Sequence, residues 1–137
     1  PVQYEEYKSA GHPSKQNFSS VSMVYTGVLL GIFLVVHIIT FKYGPYYTTE
    51  VDGVEMRDLY QLVSEVFSNP LYVAGYVIVM IFLGSHLRHG FWSAFLSLAF
   101  YHRRYTPVIY VLGYIIAIVL AAGYIAIPVW VYFKGRI

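Results

Sequence analysis

LYVAGYVIVMIFLGSHLRHGFWSAFLSLAFY, residues Leu71–Tyr101, contains no carboxylate and a single arginine. A helix needs roughly 20 mostly apolar residues to cross the ~30 Å hydrocarbon core of a bilayer, and this run exceeds that length. Inside it, the segment Gly84–Phe95 (GSHLRHGFWSAF) places His86, Arg88 and His89 where hydrocarbon-soluble side chains are expected. An ionisable group buried in lipid is costly, so these three mark a place where function outweighs solubility.

Two further runs have spanning length. Residues 20–41, SVSMVYTGVLLGIFLVVHIITF, precede the first, and 107–133 follow it, with Pro107 suited to a first helical turn and Pro128 implying a local kink. Composition agrees. Of 137 residues 58% are hydrophobic and only 12% charged, and the mean hydropathy is +0.57, well away from the balance of a soluble domain. Aromatic residues make up 19%, including fifteen tyrosines, as interfacial belts require. There is no cysteine, which excludes disulfides, thiolate-held iron–sulfur clusters and Cys-type zinc sites in this chain. A net charge of +2 gives nucleic-acid binding no electrostatic support.

The expected organisation is an all-α transmembrane helical bundle. A polar, cytoplasmic N-terminal segment (1–19) leads to spans at 20–41, 71–101 and 107–133, with an outer loop at 42–70, a cytoplasmic loop at 102–106 and a tail at 134–137. The orientation follows from Lys8, Lys15, Arg103 and Arg104 on one side and five carboxylates in 50–65 on the other. Lys134 and Arg136 run against this bias. The opening residues show no signal-peptide pattern, and a start at Pro1 rather than Met implies residues upstream. In the outer loop, Leu59, Leu62, Val63, Val66 and Phe67 share one helical face, which predicts a short amphipathic helix capping the bundle. An ordered loop without helix is the alternative.

At 100° per residue His86, His89, Gly90, Ser93 and Ser97 form one small polar stripe, expected to face the bundle interior. Arg88 lies about 200° from His86 and is expected to snorkel towards headgroups or meet a partner subunit. On the first span Thr26, Gly27, Leu30, Phe33 and Leu34 share the face of His37, and Gly27 and Gly31 permit close approach of a helix or a flat ligand. His12, in the polar tail, is expected to be solvated, and His102, Arg103 and Arg104 suit headgroups, a cytoplasmic subunit or a propionate. A buried imidazole has three readings: a structural residue bonded to a hydroxyl, a metal or haem axial ligand, or a proton relay. Relays commonly include an intramembrane Asp or Glu, and here every carboxylate lies outside the spans. Two inward histidines on different spans then favour haem. Depth counted from the outer edge separates His37 and His86 by roughly 16 Å, too far for one iron, whereas an inner count sets them level. The outer count is preferred because it brings Arg88 and His89 nearer the inner interface. It makes each histidine the ligand of a separate haem, with its partner on helices not in this sequence.

A span ending in His37, then DLYQLVSEVFSNPLYV, GSHLRHGFWSAFLSL, YHRRYTP and a last apolar helix resembles the C-terminal three helices of a known family. That family is the di-haem cytochrome b membrane-anchor subunit of succinate:quinone oxidoreductase and quinol:fumarate reductase, and the chain is most similar to its Bacteroidetes-like branch. The resemblance covers nearly the whole chain. It implies three spans of a five-helix bundle holding two haems b, with His37 ligating the distal iron and His86 the proximal one. His89 would stand behind the ligand or face a propionate, and Gly27, Gly90 and Ser93 would line the haem surroundings. It also implies an iron–sulfur subunit, a flavoprotein subunit, a quinone (commonly menaquinone) and a bacterial cytoplasmic membrane, with no flavin chemistry in this chain. Two N-terminal helices and their ligands are missing from the pattern, so a further segment or a second membrane chain must supply them. Other readings are the cytochrome b subunit of a formate dehydrogenase or hydrogenase, a cofactor-free structural subunit, and, least favoured, a small transporter.

Overall fold

The computed structural model describes residues 13–99 and 102–135, with side chains from residue 21 onward. His12, Lys8 and Arg136 lie outside the described residues. Four helices and one hairpin follow in order: α1 (Pro13–Phe41), β1 (Thr48–Val51), β2 (Val54–Arg57), α2 (Leu59–Val66), α3 (Pro70–Ser97) and α4 (Thr106–Lys134).

Three helices are long and apolar enough to cross a membrane: Val21–Phe41 within α1, α3 and α4. Their outward faces are apolar all round. Val24, Ile32, Ile81, Ile118, Val119 and Ile127 are each more than half exposed, a surface that only lipid accommodates. The chain is a multi-pass membrane protein with a helical bundle fold.

The spans match the expected ones within a few residues, with two differences. Helix α1 runs back to Pro13, through part of the segment expected to be a polar tail. Helix α3 stops at Ser97 instead of reaching Tyr101, because Ala99 adopts a left-handed φ of 58°, which the helix cannot continue through. Its start is set by the Asn69 side chain, which accepts from the Leu71 N–H, with Pro70 in the first turn.

Helix α3 is central. It packs against α4 on one side and α1 on the other, while α1 and α4 meet little. The α3–α4 contact is close because small residues meet: a Cβ on Gly84 would stand 3.0 Å from Ala121 Cβ, and one on Gly113 only 2.8 Å from Phe91 Cδ1.

The loop between α1 and α3, expected on the outer side, contains a hairpin that the hydrophobic pattern did not announce. Strands β1 and β2 pair antiparallel, with Val51 opposite Val54, and the two turn residues Asp52 and Gly53 have φ of 52° and 80°. Two positive φ values are what a type I′ turn demands, and Asp-Gly is its characteristic pair. The amphipathic helix is present as α2, started by Asp58, whose carboxylate accepts from the Gln61 N–H. Its apolar face packs on α1 and α4 with Leu62 and Phe67 buried. The hairpin is tied to the helix by the Tyr47 hydroxyl, which donates to the Glu65 carboxylate, and by the Asp58 N–H, which donates to the Tyr47 carbonyl. Arg57 closes the other side, donating to the carbonyls of Lys42 and Pro45 at 3.4 Å each.

Lys134, on the acidic side against the charge bias, is held by aromatics. Its Nζ sits 4.6 Å from the Trp130 ring centroid and 5.7 Å from that of Tyr60.

Candidate functional site: two histidines between α1 and α3

His86 points from α3 to α1. Its Nδ1 lies 3.0 Å from Thr26 Oγ1. The threonine hydroxyl is already a donor, to the Ser22 carbonyl at 2.8 Å and the Met23 carbonyl at 3.2 Å, the back-bonding usual for a helical threonine. A hydroxyl has one hydrogen, so the contact works when His86 Nδ1–H donates and Oγ1 accepts. With the threonine's hydrogen on its own helix, the neutral imidazole is the Nδ1–H tautomer and its lone pair lies on Nε2. Nε2 has no hydrogen-bond partner among the described residues. Gly27 gives the ring room, since a Cβ there would stand 3.5 Å from His86 Cε1.

His37 points from α1 to α3, where its Nδ1 lies 3.2 Å from the Tyr76 hydroxyl. Aromatic rings surround it: Phe33 stacks at 5.6 Å, and Phe41 and Tyr76 approach at 5.1 and 6.0 Å. With Phe41, Leu59, Phe67, Tyr124 and Pro128, the ring lines a cavity of about 260 Å³ beneath α2. Pro128, expected only as a kink, thus forms part of the wall beside His37.

The two contacts settle the depth question. Thr26 lies opposite His86 and Tyr76 opposite His37, so the histidines stand eleven residues apart along α1, or about 16 Å. The outer count is the correct one, and the two rings cannot share an iron.

The remaining residues of the stripe behave differently. His89 makes no hydrogen bond or ring contact with another described residue, and a Cβ on Gly90 would meet nothing within 4 Å. Ser93 is exposed, and its carbonyl accepts from the Ser97 hydroxyl. Gly31 likewise has open space around it. Among the described residues no group of three or more His, Asp or Glu could hold a bare metal ion.

Arg88 departs from expectation in its partner. It does point away from His86, but to α4 rather than to headgroups or another subunit. It donates to the Tyr110 hydroxyl at 3.1 Å and lies 4.3 Å from the Tyr114 ring centroid. Tyrosine faces and hydroxyls on α4 satisfy the guanidinium within the chain. The sequence reading missed Thr26, Tyr76 and Tyr110 as partners. Hydroxyl residues on a face shared with an intramembrane histidine or arginine were the available signal.

Compared with protein-family models, curated proteins and solved structures, the chain matches none.

Proposed function

We propose that this chain is a haem b-binding membrane-anchor subunit of the succinate dehydrogenase and fumarate reductase type. In this reading it passes electrons between an iron–sulfur subunit and a membrane quinone of the menaquinone class, in a bacterial cytoplasmic membrane. The observation that carries the reading is the 3.0 Å contact of His86 Nδ1 with Thr26 Oγ1. Thr26 holds Nδ1–H and leaves the Nε2 lone pair without a protein partner, the arrangement a metal-ligating histidine requires. The donor set fits haem better than a bare ion: a porphyrin brings four nitrogens of its own and asks the protein only for axial imidazoles, one here at each depth. His86 and His37 would each contribute one ligand to a separate haem b. Haem held at these two positions would supply one-electron transfer. The chain's own residues orient the imidazoles, exclude water with the Phe33, Phe41 and Phe67 rings, and leave open space at Gly31 and Gly90.

A second reading has an observation of its own. Both histidine contacts tie α1 to α3, so a cofactor-free structural subunit would use them as helix-bridging hydrogen bonds. Visible spectra of the purified complex, oxidised and reduced, separate the two. The haem reading expects b-type Soret and α bands, with His86→Ala and His37→Ala each removing a different haem. No reducible bands would reject every redox reading, and full haem content in His86→Ala would reject this ligand assignment. Copurification with a flavoprotein active on succinate or fumarate distinguishes it from a formate dehydrogenase or hydrogenase cytochrome.

A further inference from the structure

Side chains on a helix lean towards its N-terminus. Lys134, in the last turn of α4, therefore leans back over Trp130, one turn nearer the hydrocarbon, instead of reaching out into water. Its ammonium lies 4.6 Å from the Trp130 ring centroid and 5.7 Å from that of Tyr60 on α2. The charge is thereby held at the end of a span, at the level of lipid phosphates. Beside it α2 and α4 leave a pocket of about 180 Å³. Tyr60, Ser64 and Ser68, four residues apart, line its α2 side, and Trp130 and Lys134 line its α4 side. Ser64 is half-buried, and its hydroxyl makes no hydrogen bond with another described residue. The Ser68 hydroxyl is committed to the Glu65 carbonyl at 2.6 Å. The pocket thus offers an ammonium and an unused hydroxyl, two donors from two elements, and a phosphate accepts from both.

The surface leading inward from this pocket is apolar. Trp130, Ile127 and Gly123 stand on the same face of α4 as Lys134, within about 40° of it. Trp130 and Ile127 are 59% and 52% exposed, and a Cβ on Gly123 would meet nothing within 4 Å. From Lys134 back to Gly123 is eleven residues of α4, about 16 Å. That is close to half of the ~30 Å hydrocarbon core, measured inward from the face at which the ammonium sits. It is the path of an acyl chain in the leaflet where α4 ends. A free phosphate would use the ammonium and leave this stripe unused.

We propose that the notch between α2 and the last turn of α4 binds a phospholipid of that leaflet, with its phosphate on Lys134 and Ser64 and one acyl chain along Trp130, Ile127 and Gly123. The binding requires no haem. The full chain, purified in an alkyl maltoside, is offered dioleoylphosphatidylglycerol and a galactolipid with the same chains and no phosphate. Native mass spectrometry then counts the lipid retained. Wild type should prefer the phospholipid, and Lys134→Gln should reduce that preference about fivefold, the worth of one basic side chain at a lipid headgroup. Lys134→Arg should keep it. Ser64→Leu, which fills the pocket without touching the charge, should also lower retention of the phospholipid, and it stands in for Lys134→Gln should that variant fail to insert. Lys42→Gln, at the end of α1, should leave the preference unchanged. The proposal is overturned if wild type shows no preference, if Lys134→Gln or Ser64→Leu retains phospholipid as wild type does, or if Lys42→Gln removes as much as Lys134→Gln. It is equally overturned if inorganic phosphate displaces the lipid where chloride of equal ionic strength does not, which would make the pocket a free-anion site. A second chain's helix in place of lipid on this face, in protein extracted from its native membrane, would also overturn it.

Discussion

Thr26 and His86 meet hydroxyl to imidazole at 3.0 Å across the α1–α3 interface, and the threonine's hydrogen is committed to the carbonyls of its own helix. Direction follows from that commitment: the histidine donates and the threonine accepts. Thr26→Val keeps the shape and removes the acceptor. It should lower resistance to denaturing detergent by about 0.5–1 kcal/mol, the usual worth of an interhelical hydrogen bond in lipid. In a haem-loaded complex it should also shift the midpoint potential of one b haem only, read by redox titration, and Thr26→Ser should restore it. An unchanged potential would mean that Thr26 does not orient a ligand.

Gly27 sets the space for the same ring. An alanine Cβ at 3.5 Å from His86 Cε1 is an ordinary contact, and alanine favours helix over glycine, so Gly27→Ala should be neutral or slightly stabilising. Gly27→Leu has no room and should displace His86. Helix content by circular dichroism should stay near wild type while the Thr26 contact is lost, detectable as a changed His86 imidazole resonance.

Gly113 presents the opposite case. Its Cβ would fall 2.8 Å from Phe91 Cδ1, inside any real contact, so the ring or the helix must move. Gly113→Ala should cost about 1–3 kcal/mol as overpacking of the α3–α4 seam. Combining it with Phe91→Leu should recover most of the loss, and a double-mutant cycle reads the coupling directly.

Outside the membrane, Tyr47 titrates above its ordinary range, because its hydroxyl donates to Glu65 and the nearby carboxylate disfavours phenolate. A raised folded-state value means the contact stabilises the fold below the unfolded tyrosine value of about 10, and that contribution disappears as pH climbs through the folded value. Difference absorbance between wild type and Tyr47→Phe should show one tyrosinate appearing later than a free phenol. Glu65→Gln should return it towards normal. Equal titration in both backgrounds would remove the link between hairpin and α2.

The spans were legible because hydrocarbon imposes length and composition directly, and Leu71–Tyr101 needed no neighbour to be read as one of them. The angular relation of His86 and Arg88 was legible too, since helical geometry fixes which way each residue points. What they point at was not, because a face does not name its neighbour: Tyr110 and Tyr114 answer Arg88 only once α4 has docked. The hairpin is a different failure. Asp52-Gly53 is the strongest short hairpin signal available, but it sits among polar residues whose alternation is faint, and the acidic charge drew the reading instead. The two-depth placement of the histidines came from choosing between end points of an overlong helix, and the cross-helix contacts supplied the ruler that the sequence lacks.

Two greasy helices in lipid can slide along each other cheaply, since one apolar contact is much like the next. Helices α1 and α3 are denied that freedom by a pin at each end, His86 on Thr26 and Tyr76 on His37. One pin would stop translation but still permit a pivot. Two pins set about 16 Å apart fix the slope as well, as two points define a line. A shift by a single helical turn would break both together, so the pair holds one alignment, and that alignment is where the imidazoles stand.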